Sequence, residues 1–191
     1  MYSKTSWPPA TMIYPLPAVL VTCGETPEEW NMLTIAWTGI VCSDPAMCYI
    51  SVRAERASYP ILMRTMQYTI NLTTVEMARS TDWAGVRSGA RYDKWKETGL
   101  IPLPGEKVCS PTIAQSPVSL ECRIKSIIHL GTHDMMLSDI ENVRVDTSLI
   151  NEQTGALELE KAHLLAYSHG LYQELGPIVG RFGFSVRKKA N

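Results

Sequence analysis

The sequence predicts a mainly β fold in which six or more strands, interrupted by short helices, close into an antiparallel barrel. Short runs rich in apolar and β-branched residues recur along the chain, and turn residues bound them. The helical stretches between these runs are short and follow no regular β–α–β rhythm. Because a doubly wound parallel sheet needs that rhythm, the pattern favours a closed antiparallel barrel.

The predicted strands follow one another after a proline-rich start that indicates an extended arm over residues 1–12. The turn at Asp44-Pro45 separates two of the strands, and a tight turn near Gly131 joins the last two. The segment 164–184 is rich in glycine and receives no assignment. Strands are predicted over 18–23, 34–42, 47–53, 68–72, 118–128 and 135–145.

Three short helices are predicted from their end signals. Ser58 is a good N-cap for the first helix, with a proline in its first turn. Thr73 and Glu76 have the spacing of a capping box and predict a second helix. The third helix covers 93–98 and ends at Gly99, a residue that favours helix C-termini.

Composition limits the class of protein. The 191 residues suit a single domain over 1–191, and a net charge of -1 argues against a nucleic-acid partner. No apolar run reaches the ~18 residues of a membrane span, and no leader peptide is evident. The five cysteines form no CxxC pair, so reduced thiols in a cytoplasmic protein without a metal site are expected. The basic run 187–189 is expected to be a solvated tail.

Two polar stretches could carry chemistry, while the usual phosphate-loop, dinucleotide, serine-hydrolase and zinc-protease motifs are absent. The first stretch, 31–39, places Asn31, Thr34 and Thr38 beside small residues in an otherwise apolar strand. These threonines serve either β-strand propensity alone or a strand edge that meets a flat polar ring. By itself, the stretch favours the ordinary strand.

The second polar stretch runs from a strand end into a helix start over 51–59. Two guanidinium groups, two hydroxyls and helix N–H groups converge there, which favours a dianionic phosphate. The alternative is an exposed ion pair between Glu55 and either Arg53 or Arg56, which contributes only ~0–1 kcal/mol. The added hydroxyls favour the phosphate.

Several blocks in order resemble one family. The segments NMLTIAWTGIVCSDP, SVRAERASYPIL and INLTT closely resemble the flavin reductase-like, FMN-binding split-barrel family. The segments SGARYDKWKETGL, PVSLECRI, LGTHDMML and AYSHGLY, and the closing FGFSVRKK, are similar to its flavoredoxin-like branch. The resemblance spans about residues 13–189. It implies a six-stranded antiparallel split β-barrel and a homodimer with FMN near the subunit interface.

The resemblance also implies site residues. The first block implies contacts to the flavin ring and ribityl chain from Asn31, Thr34, Ala36, Trp37 and Thr38. The second implies contacts to the phosphate and ribityl hydroxyls from Ser51, Val52, Arg53, Arg56, Ser58 and Tyr59.

Three further residues are implied by later blocks. Lys94 matches a lysine that approaches the flavin, where a cation would stabilise the reduced ring. From the residues alone, Lys94 is predicted to be a helix-surface lysine. His133 matches a histidine near the flavin face, a candidate catalytic residue contacting the nicotinamide or acceptor, and His169 is a weaker match. The alternative for His133 is a turn histidine capped by Asp134.

The activity implied is an NAD(P)H-dependent flavin reductase that passes hydride or electrons through bound FMN. NADH or NADPH would be the co-substrate, and its nicotinamide would stack directly over the flavin, since no dedicated nicotinamide-binding fold is present. The electron acceptor is a small molecule or a protein. Two alternatives are an electron carrier of the flavoredoxin kind, without steady NAD(P)H oxidation, and a flavin-binding module without enzymatic activity.

Overall fold

The computed structural model describes residues 1–186; the predicted basic tail at 187–189 and the end of the last motif block lie outside the described residues. Three α-helices, three short 3-10 helices and twelve strands form within this range. The α-helices are α1 (Tyr59–Thr65), α2 (Ala78–Val86) and α3 (Lys94–Thr98), and the 3-10 helices cover Thr147–Leu149, Leu159–Ala162 and Phe184–Val186. The strands are β1 (Leu16–Pro17), β2 (Val19–Cys23), β3 (Asn31–Ile35), β4 (Thr38–Ser43), β5 (Ala46–Val52), β6 (Gln67–Leu72), β7 (Pro102–Leu103), β8 (Thr112–Ile113), β9 (Val118–His129), β10 (Asp134–Val145), β11 (Leu165–Ser168) and β12 (Leu171–Glu174).

Seven of these strands form one antiparallel sheet in the order β3-β2-β6-β9-β10-β5-β4. Its two edge strands, β3 and β4, are consecutive in the chain and are joined by Ala36 and Trp37. At this joint the backbone N–H of Ser51 donates to the carbonyl of Trp37 at 2.9 Å, which ties the joint to β5. The prediction of a mainly β barrel with short helices is confirmed.

The strand predicted over 34–42 is wrong as a single element. It divides at Ala36 and Trp37, so its first part belongs to one edge of the sheet and its second part to the other. The main sheet therefore has seven strands where six were predicted. Two of the threonines that made the stretch unusual, Thr34 and Thr38, lie on either side of this division.

The sheet is buried on both faces near β2. Val19 and Val21 pack inside the barrel, whereas Leu20 points the other way, toward Met32 and Ala84 beneath the helices. Residues alternate between faces along a strand, so an unbroken apolar run is what a doubly covered strand requires. The burial of both faces of β2 explains why the run over 18–23 is apolar throughout.

The first helix begins as predicted, although its cap differs in chemistry. Ser58 occupies the N-cap position of α1, but its side chain makes no capping bond. The Ser58 hydroxyl instead accepts a hydrogen bond from Asn31 Nδ2 at 3.2 Å. The N-cap serine is thus used to connect α1 to β3.

The capping box predicted at Thr73 and Glu76 is wrong. Thr73 is buried, and its hydroxyl donates to the Ala18 carbonyl at 2.6 Å, so α2 begins only at Ala78. The third helix agrees with prediction. Its N-cap Asp93 accepts two backbone N–H bonds, and its C-cap is a left-handed glycine.

The unassigned segment 164–184 contributes to a second, small sheet. Strands β1, β11 and β12 pair in the order β1-β11-β12, and His169 turns the β11–β12 hairpin in the left-handed region with φ 48. None of the helices within residues 1–186 combines the length and apolar character needed to cross a bilayer.

Candidate functional site

An open cavity of about 340 Å³ lies where the β3–β4 joint meets the end of β5 and the last turns of α2. We call it the ring cavity. The β9–β10 hairpin and the small sheet complete its walls. Its lining residues are Ala18, Leu33, Thr34, Ile35, Ala36, Trp37, Ser51, Val52, Arg53, Arg56, Asp82, Gly85, Val86, His133, Tyr167 and Tyr172.

An indole and an imidazole pack against each other, tilted, in the lining of the ring cavity. The rings of Trp37 and His133 lie 4.4 Å apart at an angle of 37°, and Trp37 is 37% exposed. His133 Nδ1 lies 2.9 Å from the Thr132 hydroxyl. Burial, reinforced by the charge of Arg53, lowers the pKa of His133 below its ordinary value. Both effects favour the neutral form of the His133 imidazole.

The alternative that Asp134 caps His133 is wrong. The Asp134 carboxylate accepts the hydroxyl of Tyr59 and lies 2.9 Å from Nδ1 of His129. Asp134 thus connects the start of α1 to the β9–β10 hairpin. Its carboxylate does not bond to His133, which lines the ring cavity.

Two arginines bring positive charge to the ring cavity. Arg56 Nη1 donates to the Gly85 carbonyl at 2.9 Å, which anchors the guanidinium and leaves its other N–H groups available. Within residues 1–186, neither Arg53 nor Arg56 forms a salt bridge, so the alternative ion pair with Glu55 does not form. Two uncompensated guanidiniums favour an anion at this place.

A smaller cavity of about 110 Å³ continues from the ring cavity. We call it the anion cavity. It shares Leu33, Arg56 and Val86 with the ring cavity, so the two are adjacent. Its lining residues are Asn31, Leu33, Glu55, Arg56, Ala57, Ser58, Val86, Arg87, Ser88, Gly89 and Lys94.

Close backbone approach shapes the anion cavity at Gly89. A Cβ atom at this position would lie 2.4 Å from Asn31 Oδ1, which no side chain tolerates without displacement. The same Oδ1 accepts the backbone N–H of Met32 at 2.8 Å. A side chain at Gly89 would therefore displace the Asn31 amide, which also bonds to the Ser58 hydroxyl.

Lys94 is buried, so the helix-surface alternative is wrong. Its side chain is 5% exposed, and Nζ donates to the carbonyls of Met32 at 2.9 Å and Ala84 at 2.6 Å. Burial, helped by the charge of Arg56, lowers the pKa of Lys94 to about 8. Lys94 lines the anion cavity, not the ring cavity, so its charge lies nearer the predicted phosphate position.

The structure brings eleven of the fourteen predicted site residues to these two cavities, and three lie elsewhere. The Thr38 hydroxyl donates to the Tyr49 carbonyl at 2.5 Å. Tyr59 is engaged by Asp134, and His169 packs edge-on against Tyr14 with centroids 5.7 Å apart. A flavin contact from any of these three stays a prediction.

Several lining residues were not anticipated. Asp82 and Gly85 come from one face of α2, and a Cβ on Gly85 would lie 3.1 Å from Thr34 Cβ. Tyr167 and Tyr172 come from the small sheet, and burial together with the charge of Asp82 raises the pKa of Tyr172 to about 12. In the sequence, the glycines of the α2 segment could have indicated a close approach to the site. Nothing in the sequence indicated the two tyrosines, because their strands were unassigned.

Metal-ligating side chains do not gather here. Over residues 1–186, no three His, Cys, Asp or Glu side chains come together as metal ligands would.

Fold and site together give a barrel with an aromatic-walled cavity and an adjoining smaller cavity, which three basic residues and Glu55 help to line. The comparisons make the class specific. Residues 11–176 match the family described as Flavin reductase like domain, and the chain belongs to that family.

Searches of known proteins and solved structures also find similar chains. The structure of flavoredoxin from Desulfovibrio vulgaris (Miyazaki F) is similar with a TM-score of 0.88 and 27% identity, covering 97% of this chain and 100% of that one. An FMN-binding protein from Thermus thermophilus, solved with bound 1-cyclohex-2-enone, has a TM-score of 0.76 and 20% identity, covering 96% and 98%. An uncharacterised protein of Pyrococcus abyssi is 24% identical over 129 residues, 68% of this chain and 73% of its own length.

Proposed function

We propose that this chain binds FMN across the ring and anion cavities and works as an NAD(P)H-dependent flavin reductase. One observation carries the proposal. An aromatic-walled cavity of about 340 Å³ adjoins a cavity of about 110 Å³ whose lining holds three basic residues and one carboxylate, Glu55, and in the described chain none of the three basic residues forms a salt bridge. A ligand with a flat ring and a dianionic tail matches this pair of cavities, the ring in the larger one and the tail in the smaller one.

The residues present fit such a ligand. Trp37 and His133, which pack against each other, offer aromatic surface for the ring. Arg56 and Ser58 would hold the phosphate, because both line the anion cavity and Arg56 keeps donors beyond its bond to Gly85. Charge-assisted bonds of this kind are the strong ones in proteins.

When bound, FMN supplies hydride acceptance at N5 and release of electrons singly or in pairs. The chain's own contribution is position and electrostatics. Arg53 and Arg56 supply positive charge beside the ring cavity, and the backbone of Ala36 and Trp37 borders it. His133, whose Nδ1 lies beside the Thr132 hydroxyl, has Nε2 with which to hold or move a proton.

The first experiment is stopped-flow reduction of the holoprotein by NADH and by NADPH. A reductase bleaches the flavin absorbance much faster than free FMN is reduced under the same conditions. If neither nucleotide does so while the flavin remains bound, the second candidate, an electron carrier, takes its place. The 27% identity to a flavoredoxin over nearly the whole chain favours that candidate next.

We also propose a cytoplasmic homodimer that passes electrons to a small molecule or a redox protein. Ile40 and Val41 are exposed on edge strand β4, as an interface between subunits would use. Light scattering after size-exclusion chromatography should give twice the monomer mass of 21.3 kDa. A monomer mass at micromolar concentration would contradict the dimer.

A further inference from the structure

The carboxylate of Asp134 is a buried charge to which the proposed function gives no role. Asp134 is the first residue of β10 and is 9% exposed. Within residues 1–186 it lines neither the ring cavity nor the anion cavity. Burying an ionised carboxylate costs free energy unless partners compensate the charge, so its partners indicate what the charge does.

Asp134 has one partner on each side. The Tyr59 hydroxyl at the start of α1 donates to one carboxylate oxygen, and Nδ1 of His129 at the end of β9 lies 2.9 Å from the other. These two contacts lower the pKa of Asp134, so the carboxylate is ionised at neutral pH. Hydrogen bonds to an ionised acceptor are stronger than those between neutral groups.

Tyr59 connects Asp134 to the anion cavity. It directly follows Ser58, which lines that cavity, and its backbone N–H donates to the Arg56 carbonyl at 2.8 Å. The backbone N–H of Arg56 in turn donates to the Arg53 carbonyl at 3.1 Å. The segment therefore forms two consecutive turns, and a shift of Arg56 onto a phosphate would be passed to the Tyr59 ring.

The β9–β10 hairpin connects the same carboxylate to the ring cavity. Asp134 pairs with His129 across the hairpin, and inside it the Leu130 N–H donates to the His133 carbonyl at 3.0 Å. His133 directly precedes Asp134 and packs on Trp37 in the lining of the ring cavity. The Asp134 side chain thus closes the base of the turn that carries His133.

We propose that Asp134 is a positioning residue that couples the anion cavity to His133. A phosphate in the anion cavity then holds the His133 imidazole in place through the hydrogen bond between Tyr59 and Asp134. This role rests on the proposed function, since it uses the same two cavities. It adds that the phosphate raises the rate of flavin reduction and not only the affinity for flavin.

Nuclear magnetic resonance of the flavin-free protein tests the coupling without any reaction. Inorganic phosphate is titrated in, and the Cε1–Hε1 signal of His133, assigned by its loss in His133→Gln, is followed. We expect phosphate to shift this signal in the unaltered protein and to leave it nearly unmoved in Asp134→Asn. A signal that phosphate leaves in place in the unaltered protein, or an equal shift in Asp134→Asn, overturns the coupling.

Asp139→Asn is the matched control for this titration. It is the same substitution on the same strand, and Asp139 also bonds across to β9, where its carboxylate lies 3.3 Å from Lys125 Nζ. Within the described residues Asp139 lines neither cavity. The control should therefore keep the full phosphate-induced shift of His133, and loss of that shift would show that any lost charge on β10 has the same effect.

Stopped-flow reduction at saturating flavin tests the effect on rate. FMN and riboflavin carry the same ring, so a difference between their maximal rates in one protein reports the phosphate. We expect FMN to be reduced about tenfold faster than riboflavin, within the ~100-fold that a ~1 Å misplacement at a reacting centre can cost. Asp134→Asn should bring the two rates together. Adding Asp134→Asn to His133→Gln should cost no further rate, whereas a merely structural role would lower it again.

Failure of the coupling is distinguishable from failure of the proposed function. If both flavins bind and are reduced at equal maximal rates in the unaltered protein, the coupling is wrong and the proposed function stands. If neither flavin binds, both are wrong. If the flavins bind but neither nucleotide reduces them, the reductase is wrong and the phosphate titration alone decides the coupling. Tyr59→Phe, which removes only the hydroxyl, should act like Asp134→Asn and replaces it if that variant does not fold.

Discussion

Replacing Arg56 by alanine should separate FMN from riboflavin, because the phosphate is the only group by which they differ. Arg56 lines both the ring and anion cavities, whereas Arg53 lines the ring cavity alone. The structure thus distinguishes two arginines that the sequence assigned together to the phosphate. We expect the phosphate to depend on Arg56 and much less on Arg53.

The magnitude follows from the bonds at stake. Each charge-assisted hydrogen bond to the phosphate contributes ~1.5–3 kcal/mol, so losing one weakens FMN binding about 10- to 150-fold. Arg56→Ala also leaves the Gly85 carbonyl without its donor. That cost of ~0.5–1.5 kcal/mol falls on the protein with either flavin and cancels in the comparison.

The assay is a titration of each variant with FMN and with riboflavin, followed by flavin absorbance or calorimetry. Arg53→Ala is the matched control, and its losses for the two flavins should agree within about threefold, or ~0.6 kcal/mol. Equal losses for FMN and riboflavin in Arg56→Ala would refute the placement of the phosphate. A larger FMN-specific loss in Arg53→Ala would reverse the two roles.

Three further changes test other parts of the site. Trp37→Ala removes the stacked surface and should weaken riboflavin and FMN alike, by ~0.5–1.5 kcal/mol in titrations. Gly89→Ala forces a Cβ against Asn31 and should lower both the melting temperature and FMN affinity, whereas Gly176→Ala, with nothing within 4 Å, should change neither. Lys94→Met should abolish a rise in the free energy of unfolding between pH 8 and about 10.4, measured with urea.

The sign for Lys94 follows from its pKa of about 8 in the folded protein, which lies below the unfolded value of about 10.4. Between these values the unfolded chain binds more protons, so stability increases with pH. An identical pH slope in the variant would contradict this assignment. For Trp37, an effect on FMN but not riboflavin would place the ring elsewhere. For Gly89, an alanine variant as stable as the Gly176 control would show that the loop is not confined.

Much of the fold was predictable because local signals and tertiary packing agreed. The run over 18–23 is a strand buried on both faces, and Asp93 and Gly99 bound α3 by the chemistry that their types favour. Thr73 shows where local reasoning fails. Its spacing to Glu76 fits a capping box, but its hydroxyl reaches a carbonyl far away in the chain, and that long-range bond decides the structure.

The site was predictable in part for a related reason. Arg53 and Arg56 lie close together in the sequence and could be recognised as a pair. Lys94 and His133 were assigned to the site only through the family resemblance. Tyr167 lines the ring cavity because β11 pairs with β1 in the small sheet. No local sequence pattern predicts this pairing. The burial of Lys94 is likewise invisible in sequence, because two distant carbonyls receive its ammonium group.

The most direct measurement is the visible spectrum of the protein, purified as isolated and again after dialysis against FMN. The account predicts bound flavin, with absorption bands perturbed from those of free FMN by the indole of Trp37. A colourless protein that stays colourless after dialysis would contradict flavin binding at this site and leave a fold without its cofactor.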